Sequence, residues 1–169
     1  MNTSDGPFSH PIRVDDIEAN GTDAVLEPSE QERMAIADFL KIPAVPDMKA
    51  QMHLVRSGSR VTVTGRLTAE VRQICVVSLD EFDAPIDEPI EILFDRNATD
   101  MSDPANLPDD APDPIIGGVI DLGHVAVEFL ALGLDPYPRK PGAVFEYRED
   151  DGGEASAFAK LANLKPRPA

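Results

Sequence analysis

The longest regular pattern in the chain lies between Met48 and Val71. Met48, Ala50, Met52 and Leu54 alternate with Lys49, Gln51 and His53. After Ser57-Gly58-Ser59, the odd positions Val61, Val63, Leu67, Ala69 and Val71 alternate with threonines and Arg66. A period of two turns one side of a strand to a core and the other to water, so two strands are predicted, joined by the glycine-containing link as a hairpin. Gly65, inside the second strand, predicts a bulge or sharp bend. A third strand is predicted over residues 73–79, and a fourth over residues 89–95 with Ile90, Ile92 and Phe94 on a common face. Two shorter ones are predicted over residues 8–14 and 24–26.

Two segments follow a helical period instead. In the first, residues 29–40, Ser29 and Glu32 form a capping box, Ile36, Phe39 and Leu40 supply the apolar face, and Pro43 and Pro46 close the segment. In the second, Asp121 stands before Leu122, Val125, Phe129 and Leu132, which recur at three- and four-residue steps, and Gly133 follows. A carboxylate at that position accepts hydrogen bonds from the unpaired amides of the first turn and faces the positive end of the helix dipole, and Gly133 supplies the stop. Gly117-Gly118 just upstream reads as a tight turn rather than a phosphate loop, because the neighbouring carboxylate repels phosphate. These elements predict an α+β fold: a curled antiparallel sheet of about four to six strands, covered by two helices.

Composition changes between these elements. Residues 97–114 are rich in Asp and Pro and poor in apolar side chains, so burial there does not offset the entropy of ordering and a mobile acidic loop is predicted. That loop lacks the alternating oxygen ligands and the closing glutamate of a calcium-binding loop. A single domain is expected over residues 1–148, followed by a flexible tail over residues 149–169. Within the tail Phe158, Leu161 and Leu164 recur at helical steps beside Lys160, Lys165 and Arg167, which predicts a short amphipathic helix halted by Pro166 and Pro168. Such a helix either docks on its own domain or serves as a detachable partner-binding motif.

Charge narrows the functional classes. With 31 acidic against 15 basic side chains the formal charge is −16. Phosphate backbones are bound by neutralising them with lysine and arginine, so a chain this acidic repels bare nucleic acid unless its cations cluster. The acid is either a solubilising surface or an attraction to a basic partner, and screening makes such attraction aid encounter more than affinity. The single cysteine, Cys75, forms no internal disulfide, which suits a reducing compartment, and neither an export signal nor a membrane-spanning run is apparent. A cytoplasmic protein is expected. Within an alternating strand, Cys75 reads as a buried, inert thiol rather than a nucleophile.

No metal or catalytic signature is apparent. His10, His53 and His124 fall on separate predicted elements, and no paired-cysteine, HExxH, GxSxG or Walker pattern occurs. Neither metal nor cofactor is therefore expected.

Three blocks together carry a resemblance. Ile120-Asp121-Leu122, followed by Glu128, Leu132, Pro136 and Pro138, is similar to the signature block of the YceD-like family, the large ribosomal RNA subunit accumulation proteins. Val63-x-Gly65-x-Leu67-x-Ala69-x-Val71, leading to Cys75 and Leu79, resembles that family's central strand pair, and residues 158–165 resemble its closing sequence. Some members carry a second cysteine shortly after the first, but here the stretch reads Cys75-Val76-Val77-Ser78-Leu79, so no metal is implied.

The resemblance implies a non-catalytic ribosome-biogenesis factor promoting accumulation or processing of 23S ribosomal RNA in the large subunit. The acidity adds protein-mediated action, on a basic ribosomal protein or a processing nuclease. The candidate partner-binding residues are Asp121, Glu128, Arg139, Lys140, Phe158, Lys160, Leu161, Leu164 and Lys165. Any contact with RNA is expected to be confined to Arg139, Lys140, Lys160, Lys165 and Arg167. Two other readings stay open. One is a small enzyme using Asp121 and Glu128, which seven residues of helical rise set about 10 Å apart, too far for direct proton transfer. The other is a direct RNA-binding module.

Overall fold

The computed structural model describes residues 6–98 and 111–144. In chain order these form β1 (Pro11–Arg13), a single 3-10 turn, β2 (Thr22–Leu26), α1 (Glu30–Leu40), β3 (Ala44–Ser57), β4 (Arg60–Ile74), β5 (Glu81–Asp95), β6 (Asp113–Pro114), β7 (Val119–Asp121) and α2 (Leu122–Leu132). The main sheet has five strands in the order β2-β3-β4-β5-β6, and β1 pairs with β7 in a separate ribbon. All pairings are antiparallel except that of β6, which lies parallel to Phe94–Asp95.

Alternation along the long strands fills the core. Met48, Ala50, Met52 and Leu54 of β3 are buried together with Val61, Val63, Leu67, Ala69 and Val71 of β4 and Ile86, Ile90 and Phe94 of β5. Gly58 begins the two-residue link between β3 and β4 at φ 63°, the left-handed conformation that a tight hairpin turn asks of its first residue. Gly65 makes no bulge, since the pairing with β3 runs unbroken past it. Its function is close approach: a Cβ there would stand 2.1 Å from the carbonyl oxygen of Gln51. The irregularity lies instead between Ala44 and Asp47, at Pro46, which has no N–H to give to the ladder.

On the solvent side of the sheet, Arg66 pairs with Asp87 and Arg72 with Asp83 across β4 and β5. Among the described residues no strand lies beside the outer edge of β5 from Glu81 to Leu93, and Pro85 and Pro89 remove two amides from that strand. Prolines and acids on an exposed edge discourage pairing with another chain.

The predicted third strand is different in the structure. β4 continues to Ile74, and residues 75–80 form the turn into β5, with Leu79 in the left-handed region at φ 62°. Two valines in that turn read as strand, but Cys75 N–H bonds to Asp80 O and Leu79 N–H to Cys75 O, which reverses the chain. The predicted fourth strand is longer than expected, and the acidic segment ends in β6 rather than wholly as loop. The rest of the acidic loop, and the tail with its predicted helix, lie outside the described residues.

Both helices begin as their caps predict. Ser29 and Glu32 form the full capping box, and α1 packs over β3. α1 ends at Lys41, in the left-handed region, before either proline. Its buried face is Ile36 and Ala37, whereas Phe39 is 58% exposed. In α2, which packs over β4 and β5, Leu122, Val125, Ala126 and Leu130 are buried, and Phe129 only partly. Leu132, expected on the same face, is 73% exposed. It lies within about 20° of buried Val125 round the helix, so its exposure follows from its place as the last residue of α2 and not from the face it shares. Gly133 follows α2 in an ordinary right-handed conformation, and a Cβ there would meet the side chains of Ile86 and Glu88 at 2.8 Å, so a bare backbone lets the helix end sit on β5.

Candidate functional site

α1, β5, β7 and α2 do not close completely upon one another. A cavity of about 520 Å³ opens between them, floored by Ile92, Phe94, Ile120 and Val125. Phe39 from α1 and Ile116 from the turn before β7 also line it, and both are more than half exposed. Apolar side chains of that size left open to water favour being covered. The rim is polar and acidic, with Asp113, Asp121, His124 and Glu128.

Asp121 is held there by a dense set of hydrogen bonds. Ser9 hydroxyl donates to its Oδ2 at 2.6 Å, and the His10 amide to Oδ1 at 2.7 Å. The amides of Gly123 and His124 at the start of α2 also donate to Oδ1, at 3.0 and 3.3 Å. Leu122 N–H in turn bonds to His10 O. The side chain therefore caps α2 and fastens the N-terminal segment to it.

The structure thus brings Asp121 and Glu128 to one groove, with His124 as a third polar group that sequence patterning left on its own. A general acid or base needs a group whose proton can be moved, and donors from four different groups already converge on Asp121. Its geometry is that of a structural anchor. Among the described residues no cluster of three or more His, Cys, Asp or Glu side chains is placed to hold a metal ion.

Arg139 and Lys140 lie elsewhere. Lys140 Nζ stands 3.3 Å from Asp80 in the turn between β4 and β5. Val76 N–H bonds to Pro138 O and Gln73 Nε2 to Asp135 O, so the segment after α2 is fixed against that turn. Phe158, Lys160, Leu161, Leu164 and Lys165 lie outside the described residues.

Cys75 sits beneath this second region, buried as expected but in a turn rather than a strand. Val77 N–H and Ser78 N–H each point at its Sγ at 3.4 Å. The Ser78 hydroxyl, followed by the Ser78 and Lys140 amides and then that of Val77, favours the thiolate over the opposing effect of burial, and the thiol pKa is drawn down from 9.0 to about 6. The charge state of the thiol thus differs from that of an ordinary cysteine, although no part of it reaches the surface. The only sequence signal was Ser78 three residues after Cys75.

Among the described residues no helix is long and apolar enough to cross a membrane. Residues 63–165 match the sequence profile of the family described as large ribosomal RNA subunit accumulation protein YceD. No curated protein and no solved structure matches the chain. The match takes in β4 from Val63 on, then β5, β6, β7 and α2, the last four of which line the groove opposite α1, and the closing block at residues 158–165. The chain belongs to the YceD family.

Proposed function

We propose that this protein promotes the accumulation of large-subunit ribosomal RNA in the cytoplasm without catalysing a reaction, by engaging a basic protein rather than by gripping RNA itself. Family membership supports the ribosomal role. One observation carries the partner-mediated mechanism: the net charge of −16 is matched by a scarcity of uncommitted cations. Among the described residues, eight of the eleven Lys and Arg side chains stand beside a carboxylate of this same chain. Phosphate binding requires cations that release counterions from the nucleic acid, and an arginine already paired to aspartate supplies little. A basic ribosomal protein or processing nuclease meets the opposite field, which speeds its encounter.

A catalytic reading has one observation in its favour, the shared groove of Asp121, His124 and Glu128. The four hydrogen bonds that occupy Asp121 weigh against it.

Deleting the gene tests the ribosomal role. The ratio of 23S to 16S ribosomal RNA is expected to fall and to recover with a plasmid copy, whereas an unchanged ratio in both warm and cold growth overturns the role. Titrating purified full chain with bare 23S fragments tests the mechanism. No binding is expected at physiological salt, and tight binding with a steep salt slope replaces the protein-mediated reading with a direct one.

A further inference from the structure

The groove beside α2 combines an apolar floor with an acidic rim, and the chain holds one segment of matching chemistry. Phe158, Leu161 and Leu164 are large, apolar and spaced to share one side of a helix. Lys160, Lys165 and Arg167 accompany them, so this short stretch carries three of the 15 basic residues, whereas eight of the eleven among the described residues stand beside a carboxylate of the chain. We infer that the groove between α1, β5 and α2 is the seat of the chain's own Phe158–Arg167 segment, whose apolar side chains cover Phe39, Ile92 and Ile116 while its cations face Asp113, Asp121 and Glu128.

Three observations support this occupant. Charge is complementary: three carboxylates on the rim meet three cations on the segment. Apolar content is complementary, since Phe39 and Ile116 are more than half exposed without a cover among the described residues. Reach is sufficient. The described chain ends at Val144, four residues after Lys140, whose side chain stands near Asp80 at the Glu81 end of β5. Ile92 lies eleven residues along that strand, about 36 Å at about 3.3 Å per residue. The fourteen steps from Val144 to Phe158 span up to about 46 Å when extended. The tether is long enough to bring Phe158 to the floor with little slack, which favours docking on the same molecule over a wide search.

Methyl and aromatic nuclear magnetic resonance on the full chain tests the contact. Cross-relaxation peaks are expected from the Phe158 ring to methyl groups of Ile92, Ile116 and Val125. The triple change F158A, L161A and L164A, made in the tail alone, is expected to abolish them and move those methyl shifts, leaving the shifts of Val61 and Val71 in place. The pair K160E and K165E is expected to weaken the same peaks. Absence of any Phe158 contact with the groove overturns the inference, as do contacts to Leu79 and Val76 instead. A mixture of differently labelled copies sets apart the remaining alternative: peaks that arise only between copies mean exchange of tails in a dimer and overturn docking in cis.

Discussion

Two regions at opposite ends of α2 hold an acidic atom with backbone amides, and they do so by different means. At the start of the helix, Asp121 receives amides that the helix leaves unpaired, together with donors from Ser9 and His10. Beyond its end, Cys75 receives amides that a six-residue turn directs inward, together with the Ser78 hydroxyl. The carboxylate uses its charge to anchor two segments beside an acidic, open groove. The sulfur lies enclosed, and its charge depends on the turn. Amide donors therefore serve structure at one end and set a titration at the other, and the chemistry of the acceptor decides which.

Removing Asp121 strikes the first region hardest. Asp121→Ala leaves four donors without their acceptor, and the expected loss is about 2–3 kcal/mol in equilibrium denaturation. Asp121→Asn keeps one side-chain oxygen and is expected to lose roughly half as much. A loss for the alanine variant no larger than about 0.5 kcal/mol would show that water replaces the carboxylate and that the anchoring role is wrong.

Gly123 gives a sharper test because local propensity and packing oppose each other. Alanine in the body of a helix is favoured over glycine by about 1 kcal/mol. At this site, though, a Cβ would stand 2.8 Å from the backbone of Phe8, Ser9 and His10, none of which can swing aside as a side chain does. Gly123→Ala is expected to destabilise by about 1–2 kcal/mol. Net stabilisation in the same denaturation experiment would mean that the N-terminal segment does not lie against α2.

The same contrast explains what the sequence disclosed. Asp121 was readable as a cap because its role depends on its immediate neighbours, and Ser29 with Glu32 was readable for the same reason. Alternation along β3 and β4 marked the core face correctly, since the register of a half-buried strand follows from its own pattern. The strand predicted over residues 73–79 stops at Ile74 because Val76 and Val77 have only the composition of a strand, while Leu79 adopts a positive φ that leucine rarely takes. Leu132 shares the side of buried Val125, as its spacing predicts, but it is the last residue of α2, and a periodic pattern does not show where the packed surface beneath a helix ends. The groove was hidden for a different reason. Phe39, Ile92, Ile116 and Glu128 come from separate elements and meet only once the fold is complete, so no local pattern joins Phe39 to a rim rather than to the core.

The second region is tested through its pH dependence, where one proton is at issue. With its thiol at about 6 when folded and 9.0 as the ordinary value, Cys75 is ionised across the interval between them in the native chain and protonated in the unfolded one. The unfolded state then binds more protons, so this group's contribution to stability rises with pH through that interval, is complete above about 9.0, and is lost as pH falls through about 6. Subtracting the stability of Cys75→Ala from that of the native chain isolates the effect, and the difference is expected to grow steadily from pH 6 to pH 9. The thiolate absorbance of the folded chain should titrate near 6. Ser78→Ala removes the hydroxyl that contributes most and is expected to move that midpoint upward, toward an ordinary thiol. A stability difference that is flat with pH, or a midpoint unmoved by Ser78→Ala, means that the turn encloses the sulfur without tuning it, and the distinction between the two ends of α2 collapses into two structural anchors.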